Sequence, residues 1–167
     1  VYSMTNTFLS ELSEPVRNLI GLGEETARGK IWREPADVSI TTAHIPELIR
    51  VIQQIDLFWG AEIPEDDIYD FAPIHAWRML GTLQAEEAIQ PLIELIVWNE
   101  NQDSDWIMED IPEVMAKIGP VTIPILRAAL LDKLDMEWTA VTLSHCLSDV
   151  GQAHPDHRLQ CIAALDA

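Results

Sequence analysis

Trp106-Ile107-Met108-Glu109-Asp110-Ile111-Pro112-Glu113-Val114-Met115-Ala116-Lys117-Ile118-Gly119 is followed, 32 residues on, by Trp138-Thr139-Ala140-Val141-Thr142-Leu143-Ser144-His145-Cys146-Leu147-Ser148-Asp149-Val150-Gly151. In both, the Gly stands thirteen positions after the Trp. With that shift Ile111 falls on Leu143, Val114 on Cys146, Met115 on Leu147 and Ile118 on Val150. The spacing is i, i+3, i+4 and i+7, one face of a helix. A third copy ends at Gly81, with Ala76, Trp77 and Leu80 in the corresponding places. Each Gly stands just past the last periodic apolar residue, where a left-handed helix cap costs glycine little.

Outward from these segments, a second helical stripe follows each glycine. Ile89, Leu92, Ile93 and Ile96 come after Gly81; Ile123, Leu126 and Leu130 come after Gly119. Ile45, Leu48, Ile49 and Ile52 carry the same pattern upstream, and Pro46, Pro91 and Pro124 sit near the starts. Proline is tolerated there because the first N–H groups of a helix have no intrahelical partner. The chain therefore reads as helix pairs, with a repeat of about 32 to 38 residues, the size of helix-pair solenoid units. Pro73 and Pro112 fall midway along the predicted first helices and are expected to bend them.

The reading predicts an all-α fold, an α-α superhelix, with helices near 7–12, 15–21, 44–56, 67–81, 86–98, 106–118, 121–133, 138–150 and 155–165. Residues 1–42 are expected to supply N-terminal helices and an irregular connection, 23–42, anchored by Trp32. Residues 43–167 supply the repeats, the whole forming one structural domain. Glu62-Ile63-Pro64-Glu65-Asp66-Asp67 and the segment 99–105 read as acidic connections, the first placing carboxylates at the positive end of a helix dipole.

Ala72-Pro73-Ile74-His75-Ala76-Trp77-Arg78-Met79-Leu80-Gly81, then Ala85-Glu86-Glu87-Ala88-Ile89-Gln90-Pro91-Leu92-Ile93, resembles a HEAT-type repeat of the PBS lyase HEAT-like kind. Ile118-Gly119-Pro120 followed by Ile123-Pro124-Ile125-Leu126 resembles the next. Residues 43–165 are similar to bacterial HEAT-like proteins of uncharacterised function, some of which carry a C-terminal SEC-C metal-binding tail. The resemblance implies the HEAT/armadillo-like fold. Its name alone implies a bilin-lyase-type enzyme or a chaperone as the alternative to a scaffold, since function resides in sites and not in folds.

Composition narrows the partners. The 167 residues hold 28 Asp and Glu against 10 Lys and Arg, a formal charge of −18. Such a chain lacks the basic footprint of a nucleic-acid binder and is repelled by anionic membrane surfaces. No run of apolar residues is long enough to span a bilayer. No basic-then-apolar leader opens the chain, so the expected location is cytoplasmic, with Cys146 and Cys161 reduced.

Among chemical motifs, His154-x-x-His157-x-x-x-Cys161 has a spacing that places three metal ligands on one helical face, short of the fourth that zinc takes. The competing reading makes Cys161 part of a core stripe with Leu159, Ile162 and Ala163. Asn101-x-Asp103-x-Asp105 imitates the start of a calcium loop, yet Trp106 and Pro112 stand where an EF-hand needs Gly and a carboxylate. Gly21-x-Gly23 with Gly29-Lys30 lacks the strand, spacing and hydroxyl of a phosphate loop. Ser144 and His145 are adjacent on a helix and face apart. No cofactor is expected, and the chain reads as a non-catalytic protein-interaction scaffold.

The partner, a protein or peptide, is expected along the second helices, on positions rotated off the buried stripe. These are Arg50, Gln53 and Gln54, then Gln90, Glu94, Val97 and Trp98, then Arg127 and Leu131. Of the tryptophans, Trp77 and Trp106 are expected in the core, and Trp138 between repeats.

Overall fold

The computed structural model describes residues 2–29, 31–60 and 68–166. Their helices are α1 (Tyr2–Ser10), α2 (Glu14–Ile20), α3 (Gly23–Arg28), α4 (Ile45–Gln53), α5 (Asp56–Trp59) and α6 (Ala72–Thr82), then α7 (Ile89–Trp98), α8 (Asp105–Ile118), α9 (Thr122–Asp132), α10 (Glu137–Ala153) and α11 (Arg158–Leu165). Short 3-10 turns lead into α4, α6, α7 and α11. No strand occurs among the described residues, and the protein is all-α. The acidic stretch 62–67 lies outside the described residues, as does Lys30. No helix of the described residues is long and apolar enough to cross a membrane.

The chain divides into two compact units, Val1–Leu83 and Gln84–Ala167. In the first, α6 is the central element, packed against α2, α3 and α4. Every residue from Ala72 to Gly81 is buried, as expected of a helix that is largely apolar around its whole circumference. Trp77 is fully buried and meets Trp59 edge-to-face at 5.9 Å between ring centroids. Truncating such a side chain to Ala typically costs about 3–5 kcal/mol.

Two polar residues share that helix. His75 places Nε2 3.1 Å from the Gly23 carbonyl, and Arg78 donates from Nη1 to the Ala27 carbonyl at 2.5 Å. A carbonyl only accepts, so the His75 proton is on Nε2. The Arg78 guanidinium also lies 5.4 Å from the Trp32 ring centroid, a cation–π distance. The segment 23–42 is thus more ordered than its composition indicates. It opens with α3, and donors of α6 hold carbonyls at both ends of that helix, His75 that of Gly23 and Arg78 that of Ala27.

Two expectations about α6 fail. Pro73 is its second residue, not a midpoint, because the helix starts at Ala72 after a 3-10 turn at Ile68–Phe71. There it bends nothing. Gly81 lies inside the helix, whose cap is Leu83; the left-handed residue is Gln84, at φ 53°.

In the second unit α8 packs along α10, α7 lies against α8 and α9, and α11 lies against α9 and α10. The periodic residues Ile111, Val114, Met115 and Ile118 are buried, as are their 32-residue counterparts Leu143, Cys146, Leu147 and Val150. Pro112 is inside α8, as the sequence indicates. Gly119 ends α8 at φ 105°, a conformation that an L side chain strains to adopt.

Gly151 differs from that pattern. It is buried within α10, where an added Cβ would come within 3.1 Å of the Cys161 Cβ. Its role is close helix approach and not capping. That approach turns Cys161 and Ala164 of α11 inward. The expected stripe of Leu159, Ile162 and Ala163 is therefore wrong: all three are exposed, Leu159 by 80%. Trp138 is also 47% exposed and Trp106 only half-buried, so Trp138 is not packed between repeats.

Candidate binding groove

α7 and α9 follow the same rule on the core side and diverge on the other. Ile89, Leu92, Ile93 and Ile96 bury one face of α7, and Gln90 and Glu94, a turn apart, are exposed. Ile123, Leu126 and Leu130 bury one face of α9. The opposite face of α9 is also apolar. Val121, Ile125 and Leu131 are 39%, 36% and 41% exposed, and Ala128 is exposed between them.

Between these helices runs an open groove of about 560 Å³. Gln90, Ile93, Glu94 and Val97 line the α7 side, and Ile125, Ala128, Ala129 and Asp132 the α9 side, with Lys133 at the end. The two alanines keep the α9 wall low, which leaves the space that a larger side chain would fill. The floor is apolar and the polar groups stand on the rim, the usual composition of a recognition site. Lys133 bonds Asp132 at 2.8 Å, and that contact raises its pKa. A nucleophilic or general-base lysine needs the opposite shift.

The sequence places two of its expected partner residues here, Gln90 and Glu94, together with Val97. Arg127 and Leu131 are exposed on α9 but do not line the groove, and Trp98 is half-buried outside it. Arg50 and Gln54 belong to the first unit. There, with Thr7, Phe8, Glu11, Gln53 and Leu57, they line a separate cavity of about 400 Å³. Arg50 pairs with Glu11 at 2.5 Å and lies 5.2 Å from the Phe8 centroid, so its charge is already engaged. Ile93 escaped the sequence reading because it also belongs to the core stripe. Asp132 and the two alanines escaped it because nothing in the sequence indicates which way a wall faces. The Ala128-Ala129 pair, on an otherwise bulky helix, was the available signal.

The three candidate metal ligands point to other tasks. His154 Nε2 lies 2.7 Å from the Ala116 carbonyl, in the last turn of α8. His157 Nδ1 lies 3.0 Å from the Gln160 side-chain oxygen. Cys161 is buried against Gly151, and burial raises its thiol pKa, away from the thiolate that a metal binds. Among the described residues no three His, Cys, Asp or Glu side chains gather to hold a metal ion. The calcium-like segment is closed on itself: Asn99 accepts from the Ser104 N–H at 2.9 Å and donates to its carbonyl at 3.2 Å.

The chain matches no known family model, and no curated protein or solved structure is significantly similar to it.

Proposed function

We propose that this protein is a non-catalytic protein-interaction module, a HEAT-like stack of helix pairs that binds a peptide segment in the groove between α7 and α9. The observation that carries this reading is the second apolar face of α9. A helix that is apolar on two faces is ordinarily covered on both, and an exposed apolar surface rimmed by polar groups marks an interaction site. The pairing of α10 with α11, and the succession of α7, α9 and α11 as neighbours, support the solenoid reading. So does the burial of the four matched positions of α8 and α10, Ile111 with Leu143, Val114 with Cys146, Met115 with Leu147 and Ile118 with Val150. In such stacks the second helices form the extended recognition surface.

A photo-crosslinking residue placed at Ala128, and in a separate variant at Glu113 on the exposed side of α8, tests the proposal in extracts of the native host. The expected result is a discrete crosslinked protein from position 128 and only background from 113. Equal labelling from both positions, or labelling from 113 alone, overturns it.

A further inference from the structure

We infer that the occupant of the α7–α9 groove is a cationic amphipathic helix, an inference that rests on the binding reading above and names its partner's chemistry. Two arguments lead there.

The first concerns the backbone. Both walls are helices, whose main-chain groups are bonded within themselves, and the described residues contain no strand to extend. The groove floor of Ile93, Val97, Ile125, Ala128 and Ala129 offers no hydrogen-bonding side chain. An extended strand would find no backbone partner on either wall, whereas a helical segment pressed against the floor satisfies its own N–H and C=O groups. Its anchors are aliphatic side chains at i, i+3 or i+4, and i+7.

The second concerns charge. Asp132 is engaged with Lys133, whereas the Glu94 carboxylate has no ionic or hydrogen-bonded partner among the described residues. An unpaired carboxylate beside an apolar floor favours a Lys or Arg set next to the partner's apolar anchor. An Arg there can make a two-pronged contact. The charge of −18 attracts the same partner at a distance.

The test uses fluorescence anisotropy with the full chain and three synthetic peptides of equal length. One is a Leu/Lys amphipathic helix, one its Leu/Glu counterpart, and one a shuffled Leu/Lys peptide with no apolar face. The Leu/Lys helix is expected to bind at least about tenfold more tightly than the other two at physiological salt. Ala128→Trp, which fills the groove from an exposed position, should lose most of that affinity while circular dichroism stays unchanged. Glu94→Lys should narrow or reverse the preference for Leu/Lys over Leu/Glu. If both helical peptides bind equally and Ala128→Trp abolishes both, the groove reading stands and the cationic partner is overturned. Equal binding of the shuffled peptide overturns the helical partner. If the Leu/Lys helix binds and neither substitution changes its affinity, the groove reading itself fails.

Discussion

The carboxylate of Glu100, in the turn after α7, accepts a 2.7 Å hydrogen bond from the backbone N–H of Thr139, the third residue of α10. The first N–H groups of a helix lack intrahelical acceptors, and a carboxylate there also meets the positive end of the dipole. The first unit repeats the device: Glu47 of α4 accepts a 2.6 Å bond from the N–H of Ser13, which precedes α2. Both helices are thus capped from more than thirty residues away, and neither α2 nor α10 makes a local side-chain cap.

Glu100→Gln should loosen the first turn of α10. The Thr139 hydroxyl and the N–H groups of Thr139, Trp138 and Glu137 face the carboxylate and hold its pKa below the usual value. Its contribution is therefore complete above the unfolded-state pKa and disappears as pH falls through the lower folded-state value. Hydrogen exchange of the amides of residues 137–139 should be faster in the variant at neutral pH. Unchanged exchange there would refute the capping role.

His75 gives the first unit an acid sensitivity. Burial, then the charges of Arg78 and Arg33, lower its pKa from 6.5 to about 4, against the opposing effect of its Gly23 bond. A folded-state pKa below the unfolded value stabilises above about pH 6.5, and that stability is lost as pH falls toward 4. The wild type should lose on the order of 3 kcal/mol more than His75→Gln across this window. Urea titrations at several pH values measure the difference; parallel pH profiles would contradict it.

Gly151→Ala should destabilise the protein although alanine is the better helix former. The propensity gain is about 1 kcal/mol, but the new methyl would stand 3.1 Å from the Cys161 Cβ, a backbone-anchored atom. Overpacking of this kind costs about 1–3 kcal/mol, so the net effect is expected to be a lower melting temperature. A higher one would show that α11 moves away without loss.

Both thiols should resist modification in the folded chain. Cys146 and Cys161 are 0% and 2% exposed, and burial raises both pKa values, that of Cys146 strongly. The reactive species is the thiolate. An aromatic disulfide reagent should label them no faster than the protein unfolds, and rapid labelling of either in native buffer would contradict this.

The all-helical class and most of the core were legible in the sequence, whereas α3 and α5 were not, and α1 and α6 have other bounds than periodicity alone gave. Periodicity at 3.6 residues is local information, and Ile111, Val114, Leu143 and Cys146 carry it whatever their neighbours do. It also located Gln90 and Glu94 on the exposed side of α7. Tertiary structure decided everything that depends on what approaches a helix from outside. The glycine at 119 caps its helix, whereas that at 151 lies under Cys161; the stripe Leu159 and Ile162 faces out because Cys161 faces in. The groove belongs to the same class. A residue's spacing fixes its angle around its own helix, but a cavity needs two helices, and the low wall at Ala128 and Ala129 becomes the side of a groove only once α7 stands opposite.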